Sequence, residues 1–235
     1  GRTYVCINPR QFRPTMRIVR GVCGVGIPAS IQNLLNVTGM TVLNNFAASF
    51  GSDAVAAMGI AQKTNTVPFQ VALGISQGIM PLISYNYASG NIPRMKKAYF
   101  FTLRAGLIGL VAASIFFYFG ADFIVGMFIE NEQTVAYGIR FLRGFCLGLP
   151  LLCMDFLAVG AFQATGMGGK VLAFAITRKL LLELPLLYLL NSLMPLYGIP
   201  YAQPTTELML GITACIVIFR FFKKAEMEAR AKTAG

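Results

Sequence analysis

Apolar positions in this chain come in long runs, not in alternation. From Asp53 to Ile83 nearly every residue is apolar or small, roughly 30 residues and so about 45 Å of helix against about 30 Å of bilayer hydrocarbon. Comparable runs predict six membrane-spanning helices at about 21–50, 53–84, 99–120, 135–162, 170–193 and 201–222. The expected fold is therefore all-α, a polytopic membrane protein built as a six-transmembrane-helix bundle, with a basic linker over 1–20 and a tail over 223–235. The second run is too long to cross upright, so it must tilt or bend, and Pro68 is the expected hinge. Pro28 and Pro150 interrupt the first and fourth runs in the same way.

The polar residues inside these runs carry the functional signal. Lys63, Gln70 and Gln77 recur every seven residues, a spacing that drifts only about 20° per step around a helix. A charge near the bilayer centre costs at least about 2.5 kcal/mol, so this stripe is expected to face protein or a water-filled cavity. On the first span Asn33, Asn36, Met40 and Asn44 follow steps of three and four, again one face. Two readings fit the amides: a cavity lining that passes polar or cationic solutes, or hydrogen bonds between helices.

Asp155 lies past the middle of the fourth span with no basic residue within four positions. It needs a partner on another helix or a proton, and burial of a carboxyl favours its neutral form, as ion or proton coupling requires. The alternative is a carboxyl simply hydrogen-bonded at a helix contact. Glu183 has Lys179 four residues before it, a spacing for an intrahelical pair. Lys63 is expected to meet Asp155 or Glu183 inside the bundle, or to line a substrate path. Glu207 reads as shallower and is the weaker candidate.

Composition fits a membrane protein: 56% of residues are hydrophobic and 12% charged, with a mean hydropathy of +0.64, where soluble domains carry about 25% charge. The formal charge of +11 comes from bases set between apolar runs, so it reads as positive-inside flanks and not as a nucleic-acid surface. Of 20 Lys and Arg, 17 fall in the linker, the 94–104 region, the 170–179 region and the tail, against Arg140 and Arg143 on the other side. Both ends are expected in the cytoplasm. The five cysteines (Cys6, Cys23, Cys146, Cys153, Cys215) are scattered and read as unpaired packing residues. Histidine is absent, and no metal-ligand cluster, nucleophile motif or phosphate loop occurs. The expectation is no enzyme, no metal and no cofactor beyond H+ or Na+ as a coupling ion. The sequence opens at Gly1 with no signal peptide and is expected to be a fragment of a longer product.

The order Val55-Ala56-Ala57, Gly59-Ile60, Lys63, Pro68, Gly74, Gln77-Gly78, Pro81-Leu82, Tyr85-Asn86-Tyr87 and Arg94 resembles the eighth helix of multidrug and toxic compound extrusion (MATE) transporters. The whole chain resembles the carboxy-terminal lobe of that family, six of twelve helices. The resemblance implies a secondary active antiporter in the cell (inner or plasma) membrane, exporting organic cations or drugs against protons or sodium by rocking of two lobes. It implies an N-terminal lobe of the same gene product and the lipid bilayer as partners, with no nucleic acid, and gives weight to Asp155 in cation coupling. A flippase of lipid-linked or polysaccharide substrates, or a membrane scaffold, are the alternatives.

Overall fold

A computed structural model describes residues 15–234. Most of the basic linker, including Arg2, Arg10 and Arg13, and Cys6 lie outside the described residues. Among the described residues ten helical segments follow one another. The first three are long: α1 (Met16–Ala48), α2 (Ser52–Ala88) and α3 (Ile92–Phe119). After a short α4 (Ala121–Gly126) come α5 (Glu132–Cys146) and α6 (Leu149–Ala164), then α7 (Gly168–Ile176), a π-helical turn (Thr177–Glu183) and α8 (Leu184–Leu193). The last is α9 (Ile199–Ala234).

The helices start and stop where local chemistry directs. The Asn91 side chain accepts the Arg94 N–H at 3.3 Å, with Pro93 in the first turn of α3. Asn131 does the same for α5, accepting the N–H groups of Gln133 and Thr134. At the ends of α2 and α6 the chain turns through Gly90 (φ 72°) and Gly166 (φ 74°), a left-handed conformation that glycine adopts without strain.

Four helices, α1, α2, α3 and α9, are long and apolar enough to cross a membrane. The α5 and α6 pair qualifies together, bent by 46° at its break. Pro150, in the first turn of α6, sits at that break. Both α1 and α2 continue through their prolines, Pro28, Pro68 and Pro81. Two further boundaries differ from the sequence expectation. Helix α1 begins at Met16, inside the stretch read as linker, and α9 runs on through the stretch read as tail. There, Lys96–Glu226 at 3.2 Å and Lys224–Glu228 at 3.7 Å pair charges along the exposed end of α9.

The bundle packs around two apolar clusters, one with Tyr99, Phe156, Phe162 and Phe222, the other with Met58, Phe141, Phe145 and Leu149. Close helix approach depends on small residues. At Gly160 an added Cβ would collide with Ser76 of α2, whose hydroxyl donates to the Phe156 carbonyl at 2.6 Å. At Gly168 it would collide with the Gly24 carbonyl of α1.

Candidate functional site

The π turn creates the site. Leu184 N–H donates to the Lys179 carbonyl, five residues back, and Pro185 has no N–H with which to close the α-helical bond to residue 181. In an α-helix Arg178 and Glu183 would point about 140° apart. With i→i+5 bonding, residues five apart return to one face, and both side chains are buried.

Arg178 is held between two carboxylates from different helices. Its Nη1 is 3.2 Å from Asp155 Oδ2 on α6, and its Nη2 pairs with Glu207 Oε1 on α9. All three are at most 4% exposed. The guanidinium also lies over the Phe156 ring, 5.4 Å from its centroid. Beside this triad, Lys179 Nζ bonds Glu183 Oε1 at 2.6 Å. Gly39 of α1 passes over that pair: an added Cβ would stand 2.8 Å from Lys179 Nζ and 3.3 Å from Glu183 Oε1. Three acidic and two basic side chains are thus gathered in the bundle interior, one acid more than there are bases. Among the described residues, the second oxygens, Asp155 Oδ1, Glu183 Oε2 and Glu207 Oε2, and Arg178 Nε have no hydrogen-bond partner.

A cavity of about 40 Å³ adjoins the cluster, lined by Arg178, Lys179 and Glu183 together with Asn36, Gln62, Asn65, Phe69 and Gln203. Gln62 Nε2 and Asn65 Oδ1 are also buried without partners among the described residues. A second space of about 180 Å³ lies between α1, α2 and α6, lined by Gln32, Asn33, Asn36, Ser76, Gln77 and Gln163. Asn36 and Phe69 border both.

Several expectations change here. Glu207, the weaker candidate from the sequence, is fully buried, because α9 carries it against Arg178. Arg178 and Lys179, counted among the 17 bases read as flanks, turn into the bundle, where their side chains are 4% and 12% exposed. Lys63 does not enter the bundle to hold Asp155 or Glu183, which are already paired with Arg178 and Lys179. Lys63 and Gln70 are exposed, and Gln77, also exposed, reaches the edge of the larger space. The cavity face of α2 is Gln62, Asn65, Phe69 and Ser76, offset by about 100°, one residue, from the Lys63 stripe. Of the α1 amides, Asn33 and Asn36 line these spaces, while Asn44 lines neither and keeps its Oδ1 buried and unpaired. The steps of three and four through Gln62, Asn65 and Phe69 carry that face in the sequence, one residue away from the seven-residue spacing of the Lys63 stripe.

The MatE family profile matches residues 28–189, which include α2, α6, Asp155 and the π turn. This chain belongs to the MATE family. Multidrug export protein MepA of Staphylococcus aureus (strain NCTC 8325 / PS 47) is 30% identical over 219 residues, 92% of this chain and 47% of MepA. MepA of Staphylococcus haemolyticus (strain JCSC1435) is 30% identical over 218 residues, covering 90% and 46%. In fold the chain is similar to a crystal structure of MATE in the bent conformation, with a TM-score of 0.88 at 21% identity, covering 97% of this chain and 51% of that one. The chain spans about half the length of the curated relatives it matches. It is thus an all-helical, multi-pass membrane lobe of MATE architecture.

Proposed function

We propose that this lobe is half of a secondary active antiporter that exports organic cations or drugs against protons or sodium across the cell membrane, both of its ends lying in the cytoplasm. The N-terminal lobe of the same gene product completes it, since alternating access of this kind needs a cavity between two lobes. The names of the relatives support export of drugs. The α7–π–α8 stretch is, on this reading, the fifth crossing in chain order and brings the total to six.

One observation carries the coupling: the interior cluster holds one carboxylate more than it has cations. An uncompensated buried charge is costly, so the lobe binds one proton or one sodium ion to bring the cluster to neutrality, and releases it when the cluster meets water on the other side. Asp155, on the broken α5–α6 span, and Glu183, beside the cavity, are the groups that exchange it. Arg178 is committed to two carboxylates, which leaves little to attract an anionic headgroup and weighs against a flippase.

The test is Asp155→Asn in the complete gene product, reconstituted in liposomes under an imposed proton or sodium gradient. Removing one acid leaves two carboxylates against two cations, and gradient-driven efflux of a fluorescent organic cation is expected to fall at least about tenfold, as 1.4 kcal/mol or more of coupling is lost. Efflux as fast as in the unmodified protein, driven by the same gradient, ends the coupling role of Asp155.

A further inference from the structure

A feature away from this site also has the makings of a binding surface. Between the second half of α2 and the first half of α3 lies an apolar groove of about 510 Å³, whose walls include Ile75, Gly78, Leu82, Phe101, Ala105 and Gly106. Both helices are long and apolar enough to cross the membrane, and the groove's walls are apolar over that stretch. Its floor is made by small residues, and Gly78 has open space where a side chain would be.

One end of the groove is basic. Along α3, Arg94, Ala98, Phe101 and Ala105 follow steps of four, three and four, so Arg94 stands in line with the groove. Lys97 is one turn from Phe101 and equally exposed. Their neighbour Lys96 is paired with Glu226, whereas no carboxylate among the described residues pairs with Arg94 or Lys97. On the α2 side, exposed Tyr85 continues the line of Gly78 and Leu82, an aromatic hydroxyl of the kind enriched at membrane–water interfaces. Two free cations and a phenol thus cap an apolar channel.

We infer that this groove binds an anionic phospholipid, one acyl chain lying between α2 and α3 and the phosphate meeting Arg94 and Lys97. A zwitterionic lipid brings its own ammonium to the phosphate and gains less from the two bases. Each base near an anionic lipid surface is worth about fivefold in binding. The inference is independent of which solute the transporter moves.

Native mass spectrometry of the complete gene product, from micelles holding equal phosphatidylglycerol and phosphatidylcholine, reads lipid retention directly. Wild-type protein is expected to retain phosphatidylglycerol several-fold over phosphatidylcholine, and Arg94→Gln with Lys97→Gln to abolish that preference. Gly78→Leu, whose Cβ meets open space, is expected to reduce retained phosphatidylglycerol at least about threefold, while Gly109→Leu, at an open position outside the groove, leaves it unchanged. Equal retention of the two lipids by wild type, or a preference that survives the double charge variant, overturns the inference. So does displacement of the lipid by inorganic phosphate at constant ionic strength, which would make this a site for free phosphate.

Discussion

Arg178 is the residue on which the interior of this lobe turns, and it was visible in the sequence without being readable. It stands eight residues after Lys170 at the start of the fifth apolar run, where a base is ordinarily a membrane-edge flank. Asp155, Glu183 and Glu207 were legible because an acid inside an apolar run has a cost that demands an explanation. Their partner was not, because which acid meets which base depends on how helices rotate. The same limit applies to Gly160, one glycine among 24 until Ser76 is seen against it. Gly160→Ala drives a methyl into that hydroxyl and is expected to destabilise the lobe by about 1–3 kcal/mol, read as a lower midpoint of thermal unfolding in detergent. Ser76→Ala removes the colliding oxygen and leaves the Ser76 carbonyl, at 3.3 Å, as the nearest atom. The double variant is therefore expected to recover part of the loss, and additive losses would show that the two helices are not in this contact.

Among the elements, the π turn separates what periodicity can predict from what it cannot. The apolar runs located α1, α2, α3, the α5–α6 pair and α9, since a hydrophobic run of this length has few other uses. A reading at 3.6 residues per turn puts Arg178 and Glu183 on different sides of one helix, and only Pro185 hinted that the turn before it is wider. Pro185→Ala restores the missing N–H. The turn is expected to wind toward α geometry, slowing amide hydrogen exchange over 177–185 while carrying Arg178 or Glu183 off the shared face, with a loss of gradient-driven transport. Exchange and transport both unchanged would mean that the proline does not hold the turn open.

For the whole molecule, a single lobe leaves much of α1 and one side of α2 uncovered: Leu34, Val37, Val67 and Val71 are exposed, as are Lys63 and Gln70. The Lys63 stripe, expected to face protein or a water-filled cavity, faces outward from this lobe. If that side borders the space between two lobes, cysteine placed at Gln70 in a complete protein lacking its native cysteines should react with a membrane-impermeant thiol reagent in at least one transport state. Protection in every state would put lipid or protein, and not water, against Gln70.

The guanidinium shared by Asp155 and Glu207 also constrains how this sequence can diverge. A change at 178 alone strands two acids, and a change at 155 or 207 alone alters the charge of the remaining pair; loss of one partner from such a buried set costs about 3–5 kcal/mol, while joint replacement by apolar residues can be neutral. The three positions, 23 and 29 residues apart along the chain, are therefore a single heritable character, and descendants that lose the arginine will be found to have lost an acid with it.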